Sequence, residues 1–324
     1  MKALGVLLIL IVVVATGGFT YVQATWDRDF SDVPLPAITA SRDSATIARG
    51  EYLVRTVAHC AECHALASNP EAGIDGPLSG GYAFEIPMFG RFVAANITSD
   101  SVSGIGALSD GQVARVIRSG VDRHGRMAAF MAFSVGAMSD EDLTAIVSYL
   151  RTQPAVRKAN DPDEWGLAAK ALAGTMKPRQ TPPPVHVAAG GVSIERGRYL
   201  ALGPGACTTC HTPVNPLTFA EDGPPLSGST QAEPDATEPG FEFVIPNLTP
   251  DSATGHITNW SEEQFVARFK QGPVYPGSKM PWEAFRRLTD DDARSIYRYL
   301  RSVPPVQHNV GPTHRKVGSV AAMK

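Results

Sequence analysis

The sequence contains few cysteines and carries almost no net charge. Four of its 324 residues are cysteine, and 29 lysines and arginines against 32 aspartates and glutamates leave a formal net charge of −3. Because so small a charge produces no strong field toward polyanions, neither nucleic acid nor an anionic lipid surface is an expected electrostatic partner. The length is sufficient for two domains of ordinary size, each with its own core.

The four cysteines are confined to two Cys-x-x-Cys-His motifs. The first is Cys60-Ala-Glu-Cys63-His64 and the second is Cys207-Thr-Thr-Cys210-His211. Two thiols three positions apart on a helical turn reach neighbouring edges of one macrocycle, and the next residue points its imidazole at the metal. This is the attachment motif of c-type haem. The sequence therefore predicts two covalently bound haem c groups, with His64 and His211 as proximal iron ligands.

Two other chemistries use closely spaced cysteines. A zinc site would join the pairs as C-x2-C…C-x2-C, but such a site usually spans a short loop and leaves both histidines unexplained. A redox-active dithiol also assigns no role to the histidine that follows each pair. Because cysteines bonded to haem cannot pair with each other, no disulfide is predicted, even in an oxidising compartment.

The N-terminal segment is strongly apolar. Residues 3–22 read ALGVLLILIVVVATGGFTYV, and roughly 20 apolar residues can cross the hydrocarbon core of a membrane. Lys2 before this run and Asp27-Arg28-Asp29 after it give a weak positive-inside signal. We expect an uncleaved transmembrane anchor in the cytoplasmic membrane, with the remaining chain in the periplasm. A cleaved signal peptide is the alternative, because Val22-Gln23-Ala24 resembles a cleavage site.

The sequence around the two motifs is duplicated. Three segments recur in the same order, one before each motif and two after it, and this predicts duplication of one fold unit. The sequons at Asn96, Asn247 and Asn259 are interpreted as turn residues rather than glycan sites, because the first two occupy matched positions in the third segment. The pairs are RGEYL (49–53) with RGRYL (196–200), GPLSG (76–80) with GPPLSG (223–228), and NITSD (96–100) with NLTPD (247–251).

Each repeat also contains two helices with predictable ends. The first helix begins in a capping box, a serine followed three residues later by glutamine, and ends at a glycine. The closing helix has apolar residues at i, i+3, i+4 and i+7, so it buries one face. The predicted starts are Ser109, Ser139, Ser261 and Thr289, and the first helices end at Gly120 and Gly272.

These patterns divide the chain into six segments. Prolines predict a spacer before the first repeat and a partly stiff linker, with Thr181-Pro182-Pro183-Pro184, between the repeats. The tail lacks periodicity and is predicted to be an extended strap or disordered. The predicted segments are an anchor (1–25), a spacer (26–43), a first haem domain (44–158), a linker (159–190), a second haem domain (191–306) and a tail (307–324).

A methionine late in each repeat is the candidate second ligand of the iron. An iron with one protein ligand is open to small molecules, whereas a second ligand makes it an electron carrier. Met280 is the clear choice in the second repeat, and alignment of the glycines and closing helices places Met131 opposite it. His64 to Met131 is 67 positions and His211 to Met280 is 69, so the intervals agree.

Alternatives remain in the first repeat. Met127 and Met138 compete with Met131, and His124 lies seven positions before it. Ala132 stands where Pro281 follows Met280 in the second repeat. For an arbitrary methionine, filling a gap in an apolar core is the ordinary role, and the argument for Met131 and Met280 rests on their repeat positions.

With these residues assembled, the chain resembles membrane-anchored dihaem cytochromes c, similar to the cytochrome subunits of bacterial periplasmic alcohol and aldehyde dehydrogenases. The resemblance covers 47–306 and implies an all-α fold: two tandem cytochrome c domains with an N-terminal transmembrane helix. It implies that the carbonyls of Pro77 and Pro224 accept the N–H of the proximal imidazoles. Its carriers are RGEYL…CAECH, GVDRHGR and SDEDLTAIVSYL in the first repeat, with RGRYL…CTTCH, NLTPD and KMPW in the second.

The resemblance also implies residue roles and a function. It implies an electron carrier without catalytic residues of its own, which accepts single electrons from a dehydrogenase or quinol-oxidising donor and passes them to a downstream cytochrome or oxidase, alone or within a multi-subunit complex. The alternative is a dihaem enzyme, a peroxidase or thiosulfate-oxidising cytochrome, with one open haem. The implied roles are thioether formation by Cys60, Cys63, Cys207 and Cys210, and iron ligation by His64, Met131, His211 and Met280.

Overall fold

The computed structural model describes residues 2–65, 72–128, 130, 131, 135, 137–179, 190–216, 218 and 220–319. Ala132 and the proline run at 181–184, both used in the sequence argument, lie outside these ranges.

The first part of the chain contains an isolated apolar helix, a helix leading into the first motif, a hairpin, two longer helices, a short strand and a short helix. Within the described residues, the bounds are α1 (Lys2–Thr25), α2 (Ser44–Tyr52), α3 (Cys60–His64), β1 (Ala83–Ile86), β2 (Gly90–Val93), α4 (Asp110–Ser119), α5 (Asp140–Thr152), β3 (Glu164–Trp165) and α6 (Leu167–Ala173).

The second part repeats this order after the linker. A helix again leads into the motif, a hairpin follows, and two longer helices close the repeat. The bounds are α7 (Ile194–Leu202), α8 (Cys207–His211), β4 (Ser229–Pro234), β5 (Phe241–Ile245), α9 (Glu262–Gln271), α10 (Trp282–Phe285), α11 (Asp290–Ser302) and β6 (His314–Lys316).

The predicted helix ends are confirmed. Ser109 and Ser261 each form a reciprocal capping box with the glutamine three residues later, and α4 and α9 are followed by the cap residues Gly120 and Gly272. The closing helices α5 and α11 begin after Ser139 and Thr289, whose side chains accept a backbone N–H from the first turn. These bonds satisfy donors that a helix start would otherwise leave free.

The apolar helix α1 stands apart from the core. Ala3–Thr25 is long and apolar enough to cross a membrane, and none of its most apolar stretch is buried against the protein. One apolar N-terminal helix is therefore present, as predicted, and it agrees with either a membrane anchor or a signal sequence.

The helix before each motif crosses the closing helix at a glycine. A Cβ atom on Gly50 would lie 1.9 Å from the carbonyl oxygen of Ala145, and one on Gly197 would lie 1.8 Å from that of Ser295. These contacts place α2 on α5 and α7 on α11 with backbone against backbone. The close crossing explains why glycine recurs in RGEYL and RGRYL.

We expect Gly197→Ala to destabilise the protein by about 1–3 kcal/mol, because the added methyl group overpacks this crossing and must push the helices apart. Denaturant unfolding followed by circular dichroism measures the change. Gly18→Ala in α1 is the control, because a methyl group there meets no atom within 4 Å. An unchanged midpoint for Gly197→Ala would contradict the close crossing.

The prediction of an all-α fold is not confirmed. In the part of the chain that the structure describes, two antiparallel three-stranded sheets, in the orders β1-β2-β3 and β4-β5-β6, accompany the helices. In each sheet a hairpin after the motif gains a third strand from the segment that follows the closing helix. The tail therefore has an extended stretch at His314–Lys316. These strands are two to six residues long, which is too short to give a clear period-2 pattern.

Candidate functional site

A strained backbone residue precedes each Cys-x-x-Cys-His turn. His59 has φ 39° and Ala206 has φ 46°, both in the left-handed region that residues other than glycine rarely occupy. α3 and α8 start directly after these residues. The same strain at both positions indicates that it is part of the repeated unit, and it sets the direction in which each short helix leaves the preceding chain.

The cysteine thiols are poorly suited to dithiol chemistry. Burial raises the pKa of Cys60 and of Cys207 to about 12, and it raises the pKa of Cys63 to about 11. A redox-active dithiol needs an accessible thiolate with a lowered pKa. These protonated thiols therefore argue against the dithiol alternative, and all four cysteines of the chain are free of disulfide bonds.

The geometry also disfavours the zinc alternative. Among the described residues, one group of three His, Cys, Asp or Glu side chains has its ligand atoms within 4.8 Å of one another, and it consists of Asp235, Glu238 and His314. The four cysteines do not form such a group with each other. A site that joins the two Cys-x-x-Cys pairs would require them to do so.

Each motif histidine is oriented by a backbone carbonyl. His64 Nδ1 lies 2.7 Å from the carbonyl oxygen of Ala95, and His211 Nδ1 lies 3.0 Å from that of Pro246. The prediction that Pro77 and Pro224 supply these acceptors is wrong. The carbonyl of Pro224 instead accepts the hydroxyl and N–H of Ser227.

Both imidazoles are held in the neutral form. Burial lowers the pKa of His64, and it lowers the pKa of His211 to about 4, with a smaller lowering from His256. A neutral imidazole that donates Nδ1–H to a carbonyl leaves the lone pair of Nε2 free. That is the arrangement in which histidine ligates a metal.

The residue after each acceptor carbonyl is a buried asparagine. Asn96 is 4% exposed and Asn247 is 1% exposed. The side-chain amide of Asn247 donates to the carbonyl of Val306 at 2.8 Å, and its oxygen accepts the N–H and hydroxyl of Thr249; Asn96 makes the equivalent bonds. Their interpretation as turn residues is confirmed. They tie the histidine-orienting loop to the segment after the closing helix.

A cavity of about 610 Å³ adjoins the first motif. Its wall is mostly apolar. It includes both motif cysteines and His64, and the carbonyl-bearing segment at 94–97. The wall also includes Trp26, Phe84, Phe92, His124, Met127, Phe130, Met131 and Trp165.

Aromatic rings line one side of this cavity in a continuous series. Phe84 and Phe130 stack with centroids 4.3 Å apart, and Phe92 packs against Phe130 at 5.6 Å and against Trp165 at 5.0 Å. Trp26, directly after α1, packs against Trp165 at 5.3 Å. The series links the end of the apolar helix to the residue before Met131. Sequence reasoning placed Trp26 in a spacer and missed this role.

The structure separates the competing methionines of the first repeat. Met131 is half-buried and lies in the cavity wall, whereas Met138 is buried in the main core and does not line the cavity. Met127 also lines the cavity, but it packs in a separate small cluster with Phe30 and Val121. His124 reaches the same wall from an exposed loop. Met131 and Met127 therefore both face the space beside His64.

Met280 lies at the corresponding point of the second repeat. It is half-buried, packs against the main core and directly precedes Pro281 and α10. The N–H of Trp282 donates to the carbonyl of Met280 at 2.7 Å, and the guanidinium of Arg268 lies over the Trp282 ring at 3.7 Å. These contacts fix the backbone of the loop that carries the methionine.

The residues present fit a c-type haem. The first repeat brings two thiols, a neutral imidazole and two thioethers to the wall of one apolar cavity. Thiols attach the macrocycle, imidazole and thioether are ligands of the iron in cytochromes c, and an apolar wall suits the porphyrin. The second repeat supplies the same kinds of donor, with one thioether instead of two: Cys207, Cys210, His211 and Met280.

Comparison with known proteins supports this assignment. Residues 45–150 match the family described as cytochrome C oxidase, cbb3-type, subunit III. Over 296 residues the chain is 29% identical to the cytochrome c subunit of a quinone-dependent alcohol dehydrogenase from Gluconacetobacter polyoxogenes, covering 85% of this chain and 59% of the relative. The chain thus spans about three fifths of that protein.

Two further relatives are a cytochrome and a dehydrogenase subunit. The chain is 29% identical over 269 residues to a diheme cytochrome c-type protein from Cereibacter sphaeroides, covering 76% of this chain and 83% of the relative. It is 34% identical over 142 residues to the fructose dehydrogenase cytochrome subunit of Gluconobacter japonicus, covering 42% of this chain and 26% of the relative. Such cytochromes bind haem c covalently and transfer electrons. Residues 45–150 are therefore a cytochrome c domain of the cbb3-type, and the chain is homologous to cytochrome c subunits of quinone alcohol dehydrogenases and to a diheme cytochrome c.

Proposed function

We propose that the chain carries two haem c groups and transfers single electrons between a donor and an acceptor protein. Thioether bonds join one group to Cys60 and Cys63 and the other to Cys207 and Cys210. His64 and His211 are the proximal ligands, and the distal ligands are Met131 and Met280. The bound iron supplies one-electron oxidation and reduction, and histidine–methionine ligation raises its reduction potential.

The observation that carries this proposal is the matched donor set of the two repeats. Each motif histidine is neutral, donates Nδ1–H to a carbonyl and keeps Nε2 free, and each repeat has a half-buried methionine late in its sequence. An iron with two protein ligands excludes oxygen and peroxide, so the residues favour electron transfer over catalysis at the iron. The chain then contributes the attachment, ligand choice and apolar surroundings.

The proposed location is the periplasmic side of the cytoplasmic membrane, with α1 as a single-pass anchor. The donor is a membrane or periplasmic dehydrogenase or a quinol-oxidising protein, and the acceptor is a downstream cytochrome or oxidase. Two relatives are named as cytochrome subunits of alcohol and fructose dehydrogenases, which supports a dehydrogenase partner. Membership of a multi-subunit complex belongs to the same proposal.

The ligation and the partner are tested on protein purified from native membranes in mild detergent. We expect two low-spin haems per chain that neither bind carbon monoxide nor turn over peroxide, and a dehydrogenase or oxidase subunit that co-purifies. Substrate of the co-purified dehydrogenase should then reduce the haems without an added mediator. A high-spin ferric haem together with peroxide turnover would contradict the carrier function and support the dihaem enzyme.

A further inference from the structure

Two tyrosines reach from one repeat into the other in the same way. The hydroxyl of Tyr52 donates to Asp292 Oδ2 at 2.6 Å and accepts the backbone N–H of Thr289 at 3.2 Å. Tyr52 ends α2 in the first repeat, whereas Thr289 and Asp292 belong to the start of α11 in the second. The phenol therefore bonds both the cap residue and a carboxylate of the opposite closing helix.

The second repeat returns this contact. The hydroxyl of Tyr199 donates to Asp142 Oδ2 at 2.8 Å and accepts the N–H of Ser139 at 3.1 Å. Tyr199 lies in α7, and Ser139 and Asp142 form the start of α5. The four bonds are related by exchange of the repeats, and we call the residues Tyr52, Asp292, Tyr199 and Asp142 the tyrosine clasp.

Each carboxylate of the clasp is also paired within its own repeat. Arg49 holds Asp142 through two bonds at 2.9 and 2.8 Å, and Arg196 Nε lies 2.5 Å from Asp292 Oδ1. Asp142 is 7% exposed and Asp292 is fully buried. A buried carboxylate shared between an arginine and a phenol makes a strong, directional contact, because hydrogen bonds to charged groups are stronger than hydrogen bonds between neutral groups.

The tyrosines remain donors across the ordinary pH range. Burial is the largest cause and raises the pKa of both Tyr52 and Tyr199. The nearby carboxylate, Asp292 for Tyr52 and Asp142 for Tyr199, raises the pKa further. Both phenols are therefore protonated at neutral pH. The geometry of the clasp, with one donated and one accepted bond at each hydroxyl, needs that proton.

The first motif packs against the segment that follows the candidate distal ligand of the second repeat. Glu62, between the two motif cysteines, accepts the N–H of Ala284 at 3.2 Å, and His59 packs edge-on against Phe285 at 5.5 Å. Ala284 and Phe285 lie in α10, directly after Met280. Arg287 and Asp75 add an ion pair across the same boundary.

The reciprocal contact lies beside the second motif. A Cβ atom on Gly203, four residues before Cys207, would lie 2.5 Å from the carbonyl oxygen of Ala137, six residues after Met131. Buried apolar residues of both repeats also belong to one continuous core. Each candidate haem-attachment segment therefore packs against the segment that carries the candidate distal ligand of the other repeat.

We propose that Tyr52 and Tyr199 are positioning residues that hold the two candidate haem sites at a fixed separation for electron transfer within one chain. The part of this inference that concerns electron transfer rests on the proposed function. One electron leaves the reduced site and enters the oxidised site, so no proton or further reactant is needed. The clasp contacts neither site directly and acts through the placement of α5 and α11.

Tyr52→Phe, Tyr199→Phe and the double variant test the proposal, because each keeps the ring and removes the hydroxyl. Tyr297→Phe is the matched control, since its hydroxyl bonds the carbonyl of Trp260 within the same repeat. The first readout is hydrogen exchange of the Ala284 amide, which bonds across the boundary and is not a partner of either tyrosine. We expect each Tyr→Phe substitution to accelerate exchange of the Ala284 amide about tenfold.

The second readout is the rate at which one electron equilibrates between the sites after a brief light-driven reduction of the holoprotein. We expect a fast, concentration-independent phase in the wild type and in Tyr297→Phe, and a slower phase in the double variant with unchanged haem content. Unchanged Ala284 exchange in a folded double variant would overturn the proposal. The single variants supply the same comparison if the double variant does not accumulate.

The two readouts also separate this proposal from the proposed function. Faster Ala284 exchange without any electron equilibration would retain the clasp and refute electron transfer between two haems, which is the part that rests on the proposed function. Electron equilibration at the wild-type rate in a double variant with accelerated exchange would refute the clasp as the element that sets the separation.

Discussion

The double substitution C207S/C210S is expected to leave one covalently bound haem per chain instead of two. A serine oxygen does not replace the cysteine sulfur in the thioether bonds that hold the macrocycle, so the second repeat loses its cofactor. Haem absorbance of the denatured protein, divided by polypeptide mass, should fall to about half the wild-type value, since the two motifs are independent attachment sites. The second repeat should also unfold at lower denaturant concentration, because its haem-binding surface loses its apolar partner.

The matched variant C60S/C63S gives the decisive control. If each motif attaches its own haem, both double variants lose half of the haem, and Thr208→Ser within α8 loses none. A zinc site shared by both pairs would behave differently, because removal of either pair would abolish the whole site. Full loss of bound metal in both double variants, without covalent haem in the wild type, would contradict the assignment.

Short-range sequence patterns predicted the helical parts of this fold well. The capping boxes at Ser109 and Ser261 involve residues three positions apart, and the glycines that end those helices act on their own turn. Such interactions are decided by local chain geometry, so they can be read from a few neighbouring letters. The duplication also placed Asn96 and Asn247 at equivalent turns.

The features that sequence reasoning missed depend on long-range contacts. Tyr52 bonds Asp292 across 240 positions, and the third strand of the second sheet pairs Phe241 with Lys316. The imidazole acceptor was assigned to Pro224, although the structure uses Pro246, 35 positions after His211. No local pattern encodes these partners, because they are set by how whole elements pack. The dipeptides Ala95-Asn96 and Pro246-Asn247, each with a threonine two residues after the asparagine, recur at matched positions. This repetition was the available sequence signal for the acceptor carbonyls.

Identifying the distal ligand requires both the sequence pattern and the long-range contacts of the structure. Repeat alignment selected Met131, and the structure places it in the cavity wall, but Met127 reaches the same wall. Met138 is removed from the competition by its burial in the core. Two thioethers therefore remain for one iron in the first repeat, whereas Met280 occupies the equivalent position in the second.

Met280→Leu and Met131→Leu are each expected to convert one haem of two to a high-spin form that binds carbon monoxide. Leucine preserves apolar volume, so the fold should change little, but it lacks the sulfur that ligates the iron. The open iron should also have a lower reduction potential, because methionine ligation raises it. Carbon monoxide difference spectra and a redox titration of the holoprotein measure both effects. About half of the total haem should respond in each single variant, since each change opens one of two independent irons.

Met127→Leu decides between the two thioethers of the first repeat, and Met138→Leu is the buried control. If Met131 is the ligand, Met127→Leu retains a low-spin spectrum and loses at most about 1.5 kcal/mol of stability, as a volume-conserving core change does. A carbon monoxide response in Met127→Leu, with none in Met131→Leu, would transfer the ligand role to Met127. The two methionines have different surroundings: Met127 forms a β-bridge with Val121 that fixes its backbone, whereas Met131 follows Phe130, whose ring is stacked on Phe84. The repeat position of Met131, opposite Met280, favours it as the ligand.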